Sequence, residues 1–546
     1  DVAVPPNLKA LLAARLDGLE QPERSVLERG AVEGELFHRT AVQALSDDGQ
    51  VAPRLASLVR KALLRPDTPQ LPGEDAFRFR HLLIRDAAYD ALPKATRAEL
   101  HERFAAWLEK RASDLVELDE ILGYHLEQAA RYKAELGRPD AALAERAGER
   151  LAAGGRRAIW RGDHRAGRPL VERALELIRP LRVDVDLEIQ AVDEWFAPAE
   201  AAANAERVAL QAREAGDRAG EALALVVGAY ARLQLGDDVV DEVERRARAA
   251  LPLLEEVEDH AALGRVWYLI GHGVANSLGR FEEWAHAAEQ SLHHWRLAGH
   301  DYPVGRSGLT VALVIGPRPA DEALETLDSV LPTNPDPWAQ LRRAQLLAML
   351  ARFEEASAIA RSASERLREL GIDEVGSEQL AEIATLSGDH ASAADYLRQA
   401  CDMLEARGSW ALLSTYAPTL GRSLCALGRH DEAEPLAQRG RELGSEDDLL
   451  TQALWRQVQA LVHADRGELA EAERLAREAL AIVERMDGLN FQGDALCDLA
   501  QVRRAAGRLR EAADTLEQAL ERYERKKNLA MVAQVRPKLE ALREAA

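Results

Sequence analysis

Apolar residues in the C-terminal part of the chain recur at helical spacing, and short polar turns interrupt them at nearly constant intervals. Each of these turns contains a glycine, and the four glycines lie about 40 residues apart: Gly388, Gly428, Gly467 and Gly507. Glycine adopts the left-handed backbone conformation that ends a helix more readily than any other residue. The pattern therefore predicts a helix, a tight turn and a second helix in every repeat.

Small residues occupy three fixed positions around each turn glycine: seven residues before it, five after it and twelve after it. These residues are Ala381, Ala393 and Ala400; Gly421, Ala433 and Gly440; Ala460, Ala472 and Ala479; Ala500, Ala512 and Ala519. Small side chains let two helices approach closely, whereas leucines such as Leu397 and Leu475 fill the space between helix pairs. A helix-turn-helix unit repeated at a fixed period predicts an α-solenoid.

This pattern resembles the tetratricopeptide repeat, although its period of about 40 residues exceeds the usual 34. A coiled coil is the alternative for helices rich in Ala, Glu and Arg, but the recurring glycine would interrupt it. We predict about nine repeats between roughly residues 140 and 546, irregular at 181–335. Looser copies of the turn are predicted near Gly162, Ala197-Pro198, Gly236, Gly279, Gly316-Pro317 and Ala351.

The first 114 residues follow a different pattern. Leucine and alanine spacing predicts helices at 7–19, 22–33, 35–45 and 51–64, and again at 81–92 and 94–112. The segment LLRPDTPQLPGEDAFRFRH begins with a short run that is followed by a Pro/Gly-rich loop. In its last part, DAFRFRH, Phe77 and Phe79 alternate with arginines, which predicts a strand of a two-stranded hairpin. The predicted fold class is therefore all-α, with a winged-helix domain at 1–114 and a tetratricopeptide-like superhelix at 115–546.

Composition and charge narrow the classes of function. A net charge of −22 disfavours nucleic acid as the main partner, since binding phosphates requires clustered Lys and Arg. The uncharged stretches, such as 266–279, are too short to span a bilayer, and the cysteines lack the spacing of a disulfide framework, so we expect a cytoplasmic protein. Cys401, Cys425 and Cys497 have no paired spacing, and no histidine cluster matches a metal motif, so neither a disulfide framework nor a metal site is predicted.

Three segments of the N-terminal region carry a family resemblance: VPPNLKALLAARLDGL, LVRKALLRPD and FRFRHLLIRDAAYDALPKATRAELHERFAAWLE. They resemble the region that follows the nucleotide-binding domain in STAND-type signalling ATPases, which include cyclase-linked and large LuxR-type regulators with a repeat sensor. FRFRHLLIRDAA is also similar to the MHDLVRDLA stretch of the related NB-ARC switches. The resemblance implies that His81 contacts the phosphates of ADP and that Arg85 and Asp86 are surface and packing residues.

The sequence contains no GxxxxGK[ST] motif, so no P-loop is predicted within it. No nucleophile with a nearby base was found either, and we do not expect this chain to be an enzyme or to hold a cofactor itself. It opens without methionine, which is compatible with a piece of a longer protein. The resemblance then implies that ATP or ADP binds in a nucleotide-binding domain outside this sequence, and that this domain is a partner of the chain.

Candidate ligand-binding residues come from the first helix of each repeat, whose inner face binds peptides or small ligands in solenoids of this type. Counting back from the turns places these residues on that face: Arg265, Tyr268, His272, Trp338, Gln345, Glu378, Glu382, Arg422, Asp494 and Arg504. The central region is also richest in aromatic residues: Trp267, Tyr268, Trp284, Trp295, Tyr302 and Trp338. Such rings suit recognition of a sugar or peptide, but for any single ring the filling of gaps between irregular repeats is the stronger alternative.

Three functions remain open from the sequence. In the first, the chain is the sensor arm of a STAND-type ATPase, binds a protein, peptide or small-molecule inducer, and oligomerises in response. Alternatively, it is a free-standing repeat scaffold for protein-protein interactions without a nucleotide cycle. DNA binding through Arg54, Arg60, Lys61 and Arg65 is the least favoured, because the overall charge opposes it.

Overall fold

The computed structural model describes residues 15–46, 49–111, 115, 117–160, 163–192, 197–235, 239–299, 303–331, 337–369, 376–406 and 408–545. The described residues are mostly helical and form two compact units. The first contains the described parts of Asp1–Asp193 and Arg207–Asp217, and the second those of Glu194–Glu206 and Arg218–Ala546. The all-α fold with a tetratricopeptide-like solenoid is confirmed, whereas the division at residue 114 stays a prediction.

The first unit combines a small sheet with helices. Its elements are α1 (Gln21–Glu33), β1 (Leu36–His38), α2 (Arg39–Leu45), α3 (Val51–Arg60), β2 (Leu64–Asp67), β3 (Ala76–Phe79), α4 (Leu82–Asp90), α5 (Lys94–Arg111), α6 (Leu118–Glu135), α7 (Ala141–Trp160), α8 (His164–Ile178) and α9 (Val185–Gln190). A further helix, α10 (Pro198–Ala215), contributes residues to both units.

The strands form an antiparallel sheet in the order β1-β3-β2, with Phe37 opposite Phe77 and Leu64 opposite Phe79. The predicted hairpin is therefore confirmed, but the predicted helix at 35–45 is wrong in its first turn. Phe37 is fully buried against Gly30, where an added Cβ would lie 2.9 Å from the ring, and Phe37 packs against Phe79 with ring centroids 5.3 Å apart. This packing stabilises a paired strand, although the apolar residues of the local sequence are spaced as in a helix.

The predicted helix at 51–64 is also too long. It ends at Arg60, and Ala62 adopts a left-handed φ of 56° before β2 begins. Leu63 and Leu64 are buried, and Leu64 pairs with β3 instead of continuing the helix. The other N-terminal helices match their predictions to within a few residues, except that most of 7–19 lies outside the described residues.

The second unit contains the regular repeats. Its helices are α11 (Arg218–Gln234), α12 (Val240–Glu256), α13 (His260–Leu269), α14 (Phe281–Leu297), α15 (Pro303–Ile315), α16 (Ala320–Val330), α17 (Pro337–Met349), α18 (Phe353–Glu369), α19 (Ser377–Leu386), α20 (His390–Ala406), α21 (Trp410–Ala426), α22 (His430–Leu443), α23 (Leu449–Asp465), α24 (Leu469–Val483), α25 (Leu489–Ala505), α26 (Leu509–Lys526) and α27 (Leu529–Ala545).

The four regular turn glycines lie between the paired helices, as predicted, with φ between +73° and +82°. An added Cβ would meet nothing within 4 Å at any of them, so the backbone conformation and not space requires glycine. The predicted turns at Gly279, Gly316 and Ala351 also separate helices. Those at Gly162 and Gly236 lie outside the described residues, as does Tyr302.

The small residues at the other fixed positions mark close approach between helices. A Cβ on Gly440 would lie 2.9 Å from the Ser414 carbonyl oxygen, and one on Gly421 would lie 3.1 Å from Val458 Cγ1. Ala393, Ala433, Ala472 and Ala512 are fully buried. The spacing of small residues in the sequence therefore corresponds to close contacts both between the two helices of a repeat and between neighbouring repeats.

Ala351 occupies the position of a turn glycine and adopts φ +60°, which is strained for a residue with a Cβ. We expect Ala351→Gly to raise the free energy of unfolding by about 0.5–1 kcal/mol, the released strain exceeding the entropy gained by the unfolded chain. Gly388→Ala should lower it by about 1 kcal/mol. Urea unfolding of the purified chain measures both changes.

A matched control is Ala358→Gly, which makes the same chemical change at an exposed position inside α18. It should destabilise the chain by about 1 kcal/mol, because glycine is a poor helix former. Equal destabilisation by Ala351→Gly and Ala358→Gly would contradict the assignment of Ala351 as a turn residue.

The irregular repeats are packed by aromatic side chains. Helix α13 continues into a π-helical turn, Ile270–Ala275, before the turn at Gly279. Trp295 lies against Gly264, where a Cβ would be 2.3 Å from the ring, and Trp284 lies against Gly271 in the same way. Both tryptophans are more than nine-tenths buried. These two rings therefore fill space between packed helices.

Candidate functional site

The C-terminal repeats of the second unit contact helices of the same unit that lie about 150–210 residues earlier in the chain. The Asp487 carboxylate accepts hydrogen bonds from the amides of Phe281 (2.8 Å) and Glu282 (3.1 Å), and so caps the N-terminus of α14. Lys526 Nζ donates to the carbonyl oxygens of Leu313 (2.9 Å) and Arg318 (2.8 Å), at the C-terminus of α15 and in the turn that follows it. Side chains from one end of the repeat array therefore satisfy helix termini in its middle.

Two further contacts join the same regions. Gln534 Nε2 donates to the carbonyl oxygens of Leu386 (2.9 Å) and Thr385 (3.3 Å), at the C-terminus of α19. Lys527 forms an ion pair with Asp321. We call the contacts made by Asp487, Lys526 and Gln534 the closing contacts; the ion pair of Lys527 is exposed and is not counted among them.

Apolar packing accompanies the closing contacts. Met486 and Ala530 are buried in the same core cluster as residues of α14 to α19. Phe491 packs edge-on against Phe281, with ring centroids 6.0 Å apart. The closure thus combines buried apolar surface with capped helix ends, and the first of these supplies the larger part of such stabilisation.

Closure encloses a cavity of about 760 Å³ between the inner faces of α19, α21 and α25 and the last two helices, α26 and α27. Its volume lies within the range of small-molecule sites. Apolar walls come mainly from leucines, with Val535 and Met531, and we divide the polar lining residues into two regions. The inner region contains Glu382, Arg422, Asp494, Asp498 and Tyr523; the other contains His390, Gln501, Arg504 and Lys538.

Arg422 is the centre of the inner polar region. Its guanidinium contacts Asp494 at 3.0 Å and Asp498 at 3.2 Å, and Gln457 Nε2 donates to Asp498 at 3.0 Å. Tyr523, which is fully buried, donates its hydroxyl proton to Asp494 at 2.6 Å. Burial opposes the charge on Arg422, but Asp498 and Asp494 outweigh it and raise the pKa of the guanidinium.

The acids of this region titrate differently from exposed carboxyls. Burial raises the pKa of Asp498 to about 6, although Arg422 opposes the shift. Burial, together with the charge of Glu378, raises the pKa of Glu382 to about 7. Gln345 Nε2 donates to Glu382, and the Tyr416 hydroxyl donates to Glu378 at 2.6 Å. The site therefore holds carboxyls that change protonation close to neutral pH.

The predicted inner-face residues separate into two groups. Glu382, Arg422, Asp494 and Arg504 line the cavity, and Gln345 and Glu378 contact residues beside it.

Sequence reasoning did not single out Lys526, Asp487 or Gln534. Lys526 lies in the charge-rich run ERYERKK, and Asp487 lies in an inter-repeat turn, so both have the sequence context of solvated positions.

The predicted residues of the irregular repeats lie elsewhere in the second unit and do not line the cavity. Tyr268 stacks on His272 with ring centroids 5.4 Å apart, and it also contacts Trp295. Burial lowers the pKa of His272 to about 4, so its ring is neutral at physiological pH. Arg265 lies one turn before Tyr268 on α13, and Trp338, at the start of α17, is 40% exposed. Their role in ligand binding stays a prediction.

In the first unit, His81 is the exposed N-cap residue of α4, and Leu82 beside it is 53% exposed. Arg85 bonds to Asp86 (3.0 Å) and to the Ala31 carbonyl oxygen (3.2 Å), which matches the predicted surface and packing roles.

The basic segment at 54–65 is partly neutralised within this unit. Lys61 bonds to Glu23 at 2.6 Å, and Arg65 lies 3.7 Å from Asp67. These ion pairs leave fewer charges available for phosphate contacts with DNA.

Within the described parts of the chain, no group of three or more His, Cys, Asp and Glu side chains could hold a metal ion. Among the same residues, no helix has both the length and the apolarity needed to cross a membrane. Cys401, Cys425 and Cys497 are free thiols, and burial raises the pKa of each to about 12.

Residues 450–525 match the tetratricopeptide repeat family model, a region that begins in α23 and ends in α26. No curated protein matches the chain significantly. Among solved structures, the chain is similar to the APC/C hetero-tetramer Cut9-Hcn1, with 14% identity, a TM-score of 0.44, and coverage of 84% of this chain and 87% of that one.

Two further solved structures are similar at lower scores. The first is a STAND protein with a tetratricopeptide repeat sensor from Pyrococcus horikoshii, with 14% identity, a TM-score of 0.33, and coverage of 98% of this chain and 68% of that one. The second is NprR in complex with its cognate peptide NprX, with 16% identity, a TM-score of 0.34, and coverage of 47% of this chain and 84% of that one.

Proposed function

We propose that this chain is the regulatory arm of a STAND-type signal-transduction ATPase and that an inducer binds in the cavity of its second unit. The observation that carries the proposal is the closure of the repeat array on itself around that cavity. The tetratricopeptide match and the repeat fold support a role in protein interaction or sensing at a coarser level.

The closing contacts suggest how binding would be transmitted. Each is a hydrogen bond worth about 1 kcal/mol net, and the apolar contacts between the same segments can be exposed again on opening. A ligand that fits the closed cavity stabilises the closed form, and one that binds the open form better favours opening. A shift from mostly one form to mostly the other requires about a 10⁴-fold difference in affinity.

The sheet and helices of the first unit fit the second part of the proposal. The elements from α1 to β3 have the order of a winged-helix domain, which in this scheme packs on a nucleotide-binding domain of the same protein. His81 and Leu82 lie exposed at the start of α4, where they are available for such a contact. His81 would approach the phosphates of ADP bound in that domain.

The remaining parts of the scheme follow from this assignment. The chain itself is non-catalytic, ATP and ADP bind in the nucleotide-binding domain, and inducer binding promotes oligomerisation in the cytoplasm. DNA binding by the first unit is disfavoured, because the ion pairs of Lys61 and Arg65 occupy part of the basic segment.

The test uses the complete product of the gene that contains this chain. ATP and ADP affinities are measured by equilibrium binding for the unmodified protein and for Lys526→Met, which removes a buried closing contact. We expect the variant to change the ratio of the two affinities at least tenfold, because closure and nucleotide state are linked. Lys527→Met, which removes an exposed ion pair from the adjacent residue, is the matched control.

Each outcome assigns the function. If the complete product binds neither nucleotide, the STAND proposal is wrong and the free-standing scaffold for protein-protein interactions takes its place. If nucleotides bind but Lys526→Met and Lys527→Met behave alike, the repeat closure is not coupled to the nucleotide domain.

A further inference from the structure

The cavity has a second polar region, formed by three basic side chains from three different helices. His390 is the first residue of α20, Arg504 lies in the last turn of α25, and Lys538 is on α27. All three line the cavity, and within the described residues none has a hydrogen-bond or ion-pair partner. We call His390, Arg504 and Lys538 the basic rim.

The chain is strongly acidic, with a net charge of −22, so carboxylates that could pair with these cations are abundant in it. The neighbouring Arg503 on the same helix bonds to Thr515 at 2.6 Å and lies 3.7 Å from Glu473. Asp389, the acid next to His390, accepts a hydrogen bond from the Ser392 amide at 3.0 Å and so caps α20. Asp389 partly offsets the charges around His390, whereas Arg504 and Lys538 are exposed side chains of the lining without an ion-pair partner among the described residues.

Lys538 and Arg422 both act on His390. Burial lowers the pKa of His390, and the positive charges of Lys538 and Arg422 lower it further. A neutral His390 can still donate one hydrogen bond, while Arg504 and Lys538 carry full charges. An anion beside His390 and Lys538 would offset the repulsion between them and accept bonds from both, and Arg504 is a further cationic donor of the cavity lining.

The inner polar region does not compete for the same ligand group. Arg422 is occupied by Asp494 and Asp498, Tyr523 by Asp494, and Glu382 by Gln345. The apolar lining of the cavity includes Leu461, Leu516, Val535 and Leu542, which are buried. A ligand in this cavity therefore meets both unpaired cations and hydrocarbon surface.

We infer that the cavity binds a small amphipathic anion, with its carboxylate or phosphate at the basic rim and its apolar body against the leucine and valine walls. This inference rests on the proposed function, since it gives the chemical class of the inducer. A cationic ligand group is disfavoured at the rim, because Arg504 and Lys538 would repel it.

The experiment compares two fluorescent probes with the same apolar body. 8-Anilino-1-naphthalenesulfonate carries an anionic group, and N-phenyl-1-naphthylamine lacks it. We expect the anionic probe to bind one site per chain, with its affinity lowered at least tenfold by the double variant Arg504→Gln/Lys538→Gln. The neutral probe should bind the double variant and the unmodified chain equally.

Two control variants locate the site. Arg510→Gln removes an exposed arginine of α26 that does not line the cavity, and it should leave both affinities unchanged. Ala426→Trp places a large side chain at an exposed position of the cavity lining, and it should abolish binding of both probes. Displacement of the anionic probe by decanoate or by decyl phosphate then distinguishes a carboxylate from a phosphate ligand.

The outcomes separate this inference from the function on which it rests. If both probes bind equally and the double variant has no effect, the anionic class is wrong while the cavity remains a binding site. If neither probe binds, or if Ala426→Trp changes nothing, the cavity is not the ligand site, and both the inference and the inducer site of the proposed function fail.

Discussion

Replacing Arg422 with methionine is expected to lower the free energy of unfolding of the chain by about 3–5 kcal/mol at pH 8. The substitution keeps an unbranched side chain but leaves Asp494 and Asp498 without their cation beside the cavity. An uncompensated buried charge costs far more than the net value of the ion pair itself. Urea unfolding, followed by circular dichroism, measures the change.

The loss should depend on pH in a defined direction. The pKa of Asp498 is already raised to about 6 in the folded chain, above its unfolded value of about 4, so the folded state binds more protons between these values. Stability from this group therefore falls as pH rises through that interval. Without Arg422 the pKa rises further, so the variant should lose more stability than the unmodified chain between pH 5 and pH 8.

Two comparisons make this result specific. Arg510→Met changes an exposed arginine of α26 and should alter stability by less than about 0.5 kcal/mol. Adding Asp494→Asn and Asp498→Asn to Arg422→Met removes the unpaired charges and should recover most of the loss at pH 8. A triple variant no more stable than Arg422→Met would mean that shape, not charge, sets the cost.

Replacing Lys526 with methionine is expected to cost about 2–3 kcal/mol, because it leaves the carbonyl oxygens of Leu313 and Arg318 without a donor in a buried place. Lys526 is fully buried, and burial lowers its pKa to about 7. Both its charged and its neutral form have N–H groups to donate, so the bonds persist across neutral pH.

The effect should also be local. Amide hydrogen exchange of α15 and α16 should become faster in Lys526→Met, since the closing contacts hold these helices against the C-terminal repeats. Lys527→Met removes an ion pair with Asp321 whose side chains are both more than 40% exposed, and it should cost less than about 1 kcal/mol. Equal effects from the two substitutions would contradict a special role for Lys526 in closure.

The repeat architecture could be predicted because its causes are local. A left-handed glycine between two helices, and small residues at fixed distances from it, are determined within one repeat of about 40 residues. The same logic identified Ala351 as a turn residue although it lacks the glycine. Prediction was wrong at 35–45, where Phe37 pairs with a strand that lies 40 residues later.

The site could be predicted only in part. Counting along each first helix placed Glu382, Arg422, Asp494 and Arg504 on one face, and these four residues line the cavity. The same count placed Tyr268 and His272 with them, but these rings lie elsewhere in the second unit and stack on each other. A periodic count gives the face of a helix, and it does not give the curvature that brings some faces together.

The sequence by itself determined the helices, their turns and the surfaces through which neighbouring repeats pack, because each depends on residues close together in the chain. Tertiary structure decided that Asp487, Lys526 and Gln534 reach helix ends about 150–210 residues away and enclose a cavity. That outcome depends on small rotations between successive repeats, which add up over the whole array. The total rotation cannot be read from any single repeat. Only the folded chain therefore shows which charged residues become buried and which remain as a basic rim.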